Sequence, residues 1–270
     1  MRKNLRKNRK RTLCWVLTLG MLGGNLLPMQ ADAAESAKLI AHYNFEAASG
    51  TNVPNTADAA GFAGTLHGSG AELKKETPFG TSLNFTGAAA SWMQVEDVIN
   101  TGAKSYSISM WYQCDTNVSR GNKKMVLLQQ NGGGRTLLTV TGDNQYHTYV
   151  NTQDVVGNDS VDVSKWQHVV FVNDVENKQV SWYVNGELDS TKAAGSGAVN
   201  ELTDLLIGCH KNGQDDPMYF RGLMDEINIY EGIVTAAEAK AIYDEHADLV
   251  KEEEPEKPEE EQFLDADGNP

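Results

Sequence analysis

From Lys38 to Tyr230 the chain is built of short apolar or alternating runs cut apart by Gly, Asn and Asp, and their repeat is near two residues. A period of two sends successive side chains to opposite faces, so these runs are strands with a face to bury. Eleven are legible: Leu39–Phe45, Ser82–Phe85, Trp92–Val95, Tyr106–Tyr112, Met125–Gln129, Thr136–Val140, Tyr146–Val150, Trp166–Val172, Val180–Val184, Leu205–Cys209 and Gly222–Tyr230. Almost no helical pattern separates them, and parallel neighbours need long crossovers, so antiparallel pairing is expected. The turns agree. Asn185-Gly186 follows Val180–Val184 and suits the two positive φ angles of a type I′ hairpin, while Gly142-Asp143-Asn144 and Glu176-Asn177-Lys178 read as further tips. One helix is expected, late in the chain. Thr235-Ala236-Ala237-Glu238 is a capping box, after which Ala239, Ile242, Tyr243, His246 and Val250 share a face that would pack on the edge of the sheets.

The two ends read differently. Seven basic residues lie between Arg2 and Arg11, an apolar stretch runs from Leu13 to Leu27, and Ala31-Asp32-Ala33 has the small-x-small spacing of a cleavage site. Residues 1–33 are thus expected to be a secretory signal peptide. An uncleaved anchor fits less well, because Thr18, Gly20, Gly23, Gly24 and Asn25 interrupt an apolar core already short for a span of roughly 20 residues. Cys14 lies in no lipid-attachment box. From Lys251 to Gln262 there are seven Glu, two Lys and two Pro and nothing to bury, so 251–270 is expected to be a disordered acidic tail or linker. Asp265-Ala266-Asp267-Gly268-Asn269 is similar to the opening of a calcium loop without its later ligands, which leaves a tail or a piece of a longer protein as alternatives. Residues 34–250 then make one domain, since a two-sheet domain of roughly 200–250 residues can enclose a single core.

Charge and cysteine content narrow the partners. The whole chain carries −14, and loss of the basic leader brings it near −20. Such a chain repels phosphate backbones and anionic membranes, so neither nucleic-acid binding nor membrane insertion after cleavage is expected. Cys114 and Cys209 remain, and an oxidising exterior would permit them to pair; sequence alone does not bring their Cα atoms within bridging distance.

The runs also form a recognisable series. Tyr43-Asn44-Phe45-Glu46, Ser49-Gly50-Thr51, Gly64-Thr65-Leu66 and Ser82-Leu83-Asn84-Phe85-Thr86-Gly87 open it. Ser107-Ile108-Ser109-Met110-Trp111, Lys165-Trp166-Gln167-His168-Val169, Trp182-Tyr183-Val184-Asn185-Gly186, Ile207-Gly208 and Gly222-Leu223-Met224-Asp225-Glu226-Ile227-Asn228-Ile229-Tyr230 continue it. In order and spacing this resembles the concanavalin A-like, laminin-G-like jelly-roll domains over roughly residues 38–246. The resemblance implies an all-β antiparallel jelly-roll sandwich with one short C-terminal helix, one concave sheet and function at its face or rim. Trp111, Trp166 and His168 lie within apolar alternation and are expected in the core.

The sequence offers three kinds of candidate site. The resemblance implies a structural calcium ion held by Glu46, Asn55 and Asp225, although Asn55 stands where the family usually has Asp and Glu46 replaces the commoner Asp; the alternative is that Asp225 only ties down a loop. Loops at the rim, Gln130–Arg135 and His210–Asp216, are the expected ligand site through Asn131, Arg135, His210, Asn212, Gln214, Asp215 and Asp216. Their amides and carboxylates suit sugar hydroxyls, and Tyr146, His147 or Tyr149 would offer a ring face. Polar Gly-rich loops are also what plain hairpins use. Catalysis is disfavoured. The E-x-D-x-x-E arrangement of laminarinase-type relatives is absent, Glu226 and Asp225 point to opposite faces of one strand, and no nucleophile elbow or P-loop occurs. No His pairs with another His or Cys at zinc-site spacing. The expected protein is a secreted, extracellular or cell-surface binding module for a glycan or an extracellular protein, alone or as the accessory or adhesion part of a larger surface protein or polysaccharide-degrading enzyme.

Overall fold

In the computed structural model residues 37–86, 91–99, 104–115, 125–130, 135–150, 153–195, 203–210 and 218–251 are described, and the fold is a jelly-roll sandwich of antiparallel sheets. The expected leader and acidic tail lie outside these residues. Chain order gives β1 (Lys38–Tyr43), β2 (Asn52–Val53), β3 (Gly64–His67), β4 (Ala71–Thr77), β5 (Gly80–Phe85), β6 (Trp92–Ile99), β7 (Tyr106–Cys114), β8 (Met125–Gln130) and β9 (Arg135–Val140). There follow β10 (Gln145–Val150), β11 (Gln153–Ser160), β12 (Trp166–Asp174), β13 (Gln179–Val184), β14 (Glu187–Ala193), β15 (Thr203–Ile207), β16 (Cys209–His210), β17 (Met218–Tyr219), β18 (Gly222–Glu231) and the helix α1 (Ala236–His246).

The first sheet runs β14-β13-β12-β7-β18-β5-β4, with β1 also on β18; the second runs β11-β10-β9-β8-β15-β6-β3-β2. Every expected run contains strand, although Leu205–Cys209 is split at Gly208, whose φ is +89°. The strands that sequence reasoning missed include β2, β4, β11 and β14, which are the ends of the two sheets. An end strand need not show alternation. β4 carries Glu72, Lys74, Lys75 and Glu76 and buries no residue fully, as suits an edge that must not pair with another chain.

Between the sheets lies one apolar core. Ile108, Met110 and Tyr112 of β7, Val169 and Phe171 of β12 and Ile227 and Ile229 of β18 meet Met93, Val95, Leu128, Leu138, Val140, Tyr146, Leu205 and Ile207 from the second sheet. The alternate residues of β7 and β12 are buried too, because α1 covers the outer face of the first sheet. Ala239 packs with Val170, Val172 and Val234, and Tyr243 stacks on Trp111 with ring centres 5.5 Å apart. The helix thus lies over a sheet face, not at the expected edge, and Trp111 and His168 are buried beneath it, outside the inter-sheet core. The capping box is present: Thr235 Oγ1 accepts from the Glu238 amide while the Glu238 carboxylate accepts from the Thr235 amide. Asn185 and Gly186 have φ of +49° and +81°, the hairpin geometry their sequence requires.

Cys114 and Cys209 are both buried and no disulfide joins them, so the pairing that an oxidising exterior would permit is not formed. Cys114 lies opposite Gly222 and Cys209 opposite Tyr219, two separate places along one segment. Burial pushes the Cys114 thiol pKa up, away from the reactive thiolate.

Gly222 marks the tightest strand approach. Its φ is +138°, and a Cβ there would stand 2.0 Å from the Gln113 carbonyl oxygen. Gly222→Ala is expected to lower unfolding stability by more than about 2 kcal/mol, read from chemical denaturation, because backbone and not a movable side chain is in the way.

Candidate functional site

Strand register decides which polar side chains gather outside the core. Across the second sheet Leu66, Met93, Ile207, Leu128 and Leu138 are successive lateral partners, all in the core. One residue along β3, β6, β15 and β8 the parity reverses, and on β9 a register shift carries the pairing two residues, from Leu138 to Thr136. Asn52, Thr65, Gln94, Leu206, Gln129, Thr136, Tyr149 and Asp154 pair in turn from β2 to β11, a row that crosses all eight strands. In-register partners share a face, so Asn52, Thr65, Gln94, Leu206 and Gln129, and at the far end Tyr149 and Asp154, lie on the side of the sheet away from the core, where Leu206 and Gln129 are nonetheless fully buried. Seven of its eight residue types bear an amide, hydroxyl, phenol or carboxylate.

The row is braced by neighbours on the same side. Gln94 Nε2 donates to Asp204 Oδ2 at 2.9 Å, and Asp204 also accepts from the Asp97 amide. His67 and Trp92, lateral partners at the β3–β6 end, stack with ring centres 4.9 Å apart and planes 13° from parallel, both half-buried. At the other end His147 bridges Thr139 Oγ1 at 3.0 Å and Asp154 Oδ1 at 2.7 Å. Thr139, His147 and Asp154 have the residue types of a hydrolytic relay, but their exposure is the wrong way round. Thr139 is fully buried and the Asp154 side chain is 68% exposed, whereas a nucleophile must be reachable and its orienting carboxylate sheltered.

The expected ligand residues fall on both sides of this geometry. Asn131, Asn212, Gln214, Asp215 and Asp216 lie outside the described residues. Arg135 and His210 are placed by backbone, opposite Gln130 and Met218, so both expected loops spring from strand pairs. Tyr146 is a correction. On β10 the core parity takes Tyr146, Thr148 and Val150, so Tyr146 is fully buried with its hydroxyl on that of Tyr112, and its ring meets no solvent. His147 and Tyr149 have the outward parity. Gln94, Gln129, Asp204, His67 and Trp92 were missed, although each polar residue flanked by apolar neighbours carried the parity signal.

The expected calcium ligands are brought together only in part. β18 pairs with β5 as far as Met224 and with β1 from Ile227 onward, and Asp225 sits at that change of partner. Its Oδ2 accepts from Ser82 Oγ at 2.6 Å and its Oδ1 from the Glu226 amide at 2.8 Å. Glu46, in the turn after β1, accepts from the Thr81 amide and lies within electrostatic reach of Asp225. These are hard oxygen donors of the kind calcium takes. Asn55 does not join them. Its Oδ1 accepts from the amides of His42 and Ala57, and its Nδ2 donates to the carbonyls of Ile40 and Gly61, so every hydrogen-bonding position on the amide is already used to fasten a loop to β1.

Burial, with smaller contributions from Glu226 and Glu46, pushes the Asp225 pKa up to about 8, against an unfolded value near 4. Between those values the folded protein holds a proton that the unfolded chain releases, so metal-free stability falls as pH rises from about 4 to about 8. Thermal unfolding of chelator-treated protein across that range is expected to show this decline. Asp225→Asn, which keeps the shape without the charge, should flatten it.

Comparison with known proteins places this geometry in context. The family model Laminin_G_3, described as concanavalin A-like lectin/glucanases superfamily, matches residues 86–240, more than half of the chain. No curated protein matches. Among solved structures, domain 4 of AbnA, an extracellular arabinanase from Geobacillus stearothermophilus in complex with arabinotriose, is 20% identical with a TM-score of 0.55 over 77% of this chain and 100% of that one. The binding domain of botulinum neurotoxin DC in complex with rat synaptotagmin II is 15% identical with a TM-score of 0.59, over 77% of this chain and 52% of that one. Trypanosoma rangeli sialidase with 2,3-difluorosialic acid is 14% identical with a TM-score of 0.59, over 79% of this chain and 34% of that one. The chain therefore spans about half of the toxin domain and about a third of the sialidase; at these identities the likeness is one of fold.

Proposed function

The chain belongs to the concanavalin A-like lectin/glucanases superfamily, and on that premise we propose that it is a secreted, non-catalytic binding module that takes a glycan along the outer row of its second sheet. The row itself carries the reading. It sets the exposed or half-buried hydrogen-bonding groups of Asn52, Thr65, Gln94, Tyr149 and Asp154 along one face, with the buried Leu206 and Gln129 between them and the His67–Trp92 ring pair near one end. Sugars present hydroxyls that both donate and accept and flat C–H faces that rest on rings, and amides, carboxylates and aromatic rings answer both. The arabinotriose bound by the arabinanase domain supports a chain of sugars, and the synaptotagmin bound by the toxin domain makes an extracellular protein the alternative. Export rests on the basic and apolar leader, and no helix among the described residues is long and apolar enough to cross a membrane.

Binding without cleavage is supported by the spacing of Asp204 and Asp154, the two carboxylates that brace this face. Asp204 on β15 and Asp154 on β11 are four strand steps apart, roughly 19 Å at about 4.8 Å per step. Glycosidases hold their acid and its partner about 5–9.5 Å apart. Calcium is assigned a structural role at Asp225 and Glu46, with Ser82 alongside and without Asn55.

Two experiments test these readings. A glycan array probed with the mature protein is expected to give hits that Gln94→Ala and Tyr149→Ala each weaken at least about tenfold, while Tyr146→Phe, a core change, leaves them intact. Blank arrays would transfer the reading to a protein partner. For calcium, a calcium-selective chelator is expected to lower the melting temperature, and Asp225→Ala should remove that sensitivity. Superimposable curves with and without chelator refute the ion.

A further inference from the structure

We propose a second binding site, on the outer face of the first sheet and so across the sandwich from the row, that takes a pyranose unit of a glycan on the ring of Trp166. The site is an open pocket of about 460 Å³ lined by Gln113, Ser164, Lys165, Trp166 and Val250, the last from the 3-10 turn Ala247–Val250 that follows α1. Pockets for small ligands run from roughly 300 to 1,000 Å³.

Trp166, expected in the core, is placed elsewhere by its parity. On β12 the core takes Val169 and Phe171, so Trp166, His168 and Val170 face outward. Tyr243 of α1 packs its ring against Trp111 and His168, and both are buried, whereas Trp166 stays half-buried. Phe79, in the turn between β4 and β5, holds the Trp166 ring from one side with centres 4.7 Å apart and planes at 57°. The result is an aromatic platform that is part wet and fixed in orientation. Trp166 Nε1 has no partner among the described residues, and it is not enclosed as Trp111 Nε1 and Trp182 Nε1 are.

The polar groups beside the ring are held in place by backbone. Ser164 has φ +70°, a left-handed conformation uncommon for a residue with a side chain. Its amide donates to the Cys114 carbonyl at 3.0 Å, and its own carbonyl accepts from Gln113 Nε2 at 2.7 Å. With Nε2 so engaged, Gln113 keeps Oε1 as an acceptor, and no described residue donates to it. Ser164 Oγ donates to the Val163 carbonyl, which leaves its lone pairs to accept. Lys165, with a side chain 57% exposed and 3.7 Å from Asp162, supplies N–H donors. Such groups need little reordering when a ligand arrives.

A pyranose has an apolar C–H face and a rim of hydroxyls that both donate and accept. Trp166 answers the face, while Gln113 Oε1, Ser164 Oγ, Trp166 Nε1 and the Lys165 ammonium answer the rim. Gln113 has strand partners on both sides, Trp166 and Leu223, so this part of the sheet is closed and recognition falls to side chains. None of the lining residues is acidic, so binding here is expected to be independent of calcium.

The test uses the mature chain carrying Gln94→Ala and Tyr149→Ala, which disables the row, on an array of neutral and uronic-acid pyranose oligosaccharides with EDTA present. Hits are expected to remain, and adding Trp166→Ala should weaken them at least about tenfold. In the nitrogen-15 spectrum of the wild-type chain, the indole resonance of Trp166, assigned by its loss in Trp166→Phe, should shift with the strongest hit while that of the core residue Trp182 stays still. Should Trp166→Ala fail to fold by circular dichroism, Gln113→Leu, which keeps the volume and removes the amide, decides in its place. A blank array in the Gln94→Ala, Tyr149→Ala background, or hits there that Trp166→Ala leaves unchanged, overturns this site. Wild-type hits that vanish in that background leave the row standing without it, and wild-type hits that depend on Trp166 alone sustain this site and refute the row.

Discussion

Everything in this protein depends on strand parity. Each strand offers two faces, and antiparallel register transmits one choice of face from strand to strand across a whole sheet. Once Met93, Ile207, Leu128 and Leu138 face inward, Gln94, Leu206 and Gln129 must face out together, whatever their own preferences. The same rule on the first sheet puts Trp111, His168 and Val170 outside the core, where they are too apolar to leave wet, and α1 covers them. The sandwich therefore has three layers of side chains with different work. The central layer holds the sheets together, the outer layer of the first sheet holds the helix, and that of the second is buried at Leu206, Gln129, Thr139 and His147 and open at Thr65, Gln94, Tyr149 and Asp154.

A single departure from regularity organises the other side. At Asp225 and Glu226 the central strand β18 exchanges β5 for β1 as its partner and takes one left-handed residue to do so. Bulges re-aim side chains, and this one separates two adjacent carboxylates. Asp225 turns to Ser82 and the vicinity of Glu46, while Glu226 turns to His42 and His246. Two acidic positions of different character, one deeply buried with oxygen neighbours and one half-open with nitrogen neighbours, thus arise from one irregular step in the chain.

How much of this was legible follows from which signals are local. Strands with a core face were readable because alternation is a local property, and the Asn185-Gly186 turn and the Thr235–Glu238 capping box were readable because a few adjacent residues determine them. Edge strands such as β4 were not, since an exposed edge carries charge in place of alternation. The helix was found, but the surface beneath it was not, because β7 is buried on both faces and nothing within α1 says which face it meets. Tyr146 was assigned to the ligand for its type, and parity against the core reversed that. Asn55 was assigned to calcium through its place in a family pattern, but its amide is fully engaged by four backbone groups. The histidines around Glu226 carried no sequence signal, since His42 and His246 meet only through tertiary packing.

The proposed recognition surface is the outward parity of the second sheet. Amide chemical-shift mapping with a soluble oligosaccharide that binds the mature Trp166→Ala protein tests it most directly. The largest shifts are expected on β3, β6 and β10 around Thr65, Gln94 and Tyr149, with β7 and β12 unmoved. Shifts concentrated on the first sheet or on α1, with the row from Thr65 to Asp154 unchanged, would contradict it.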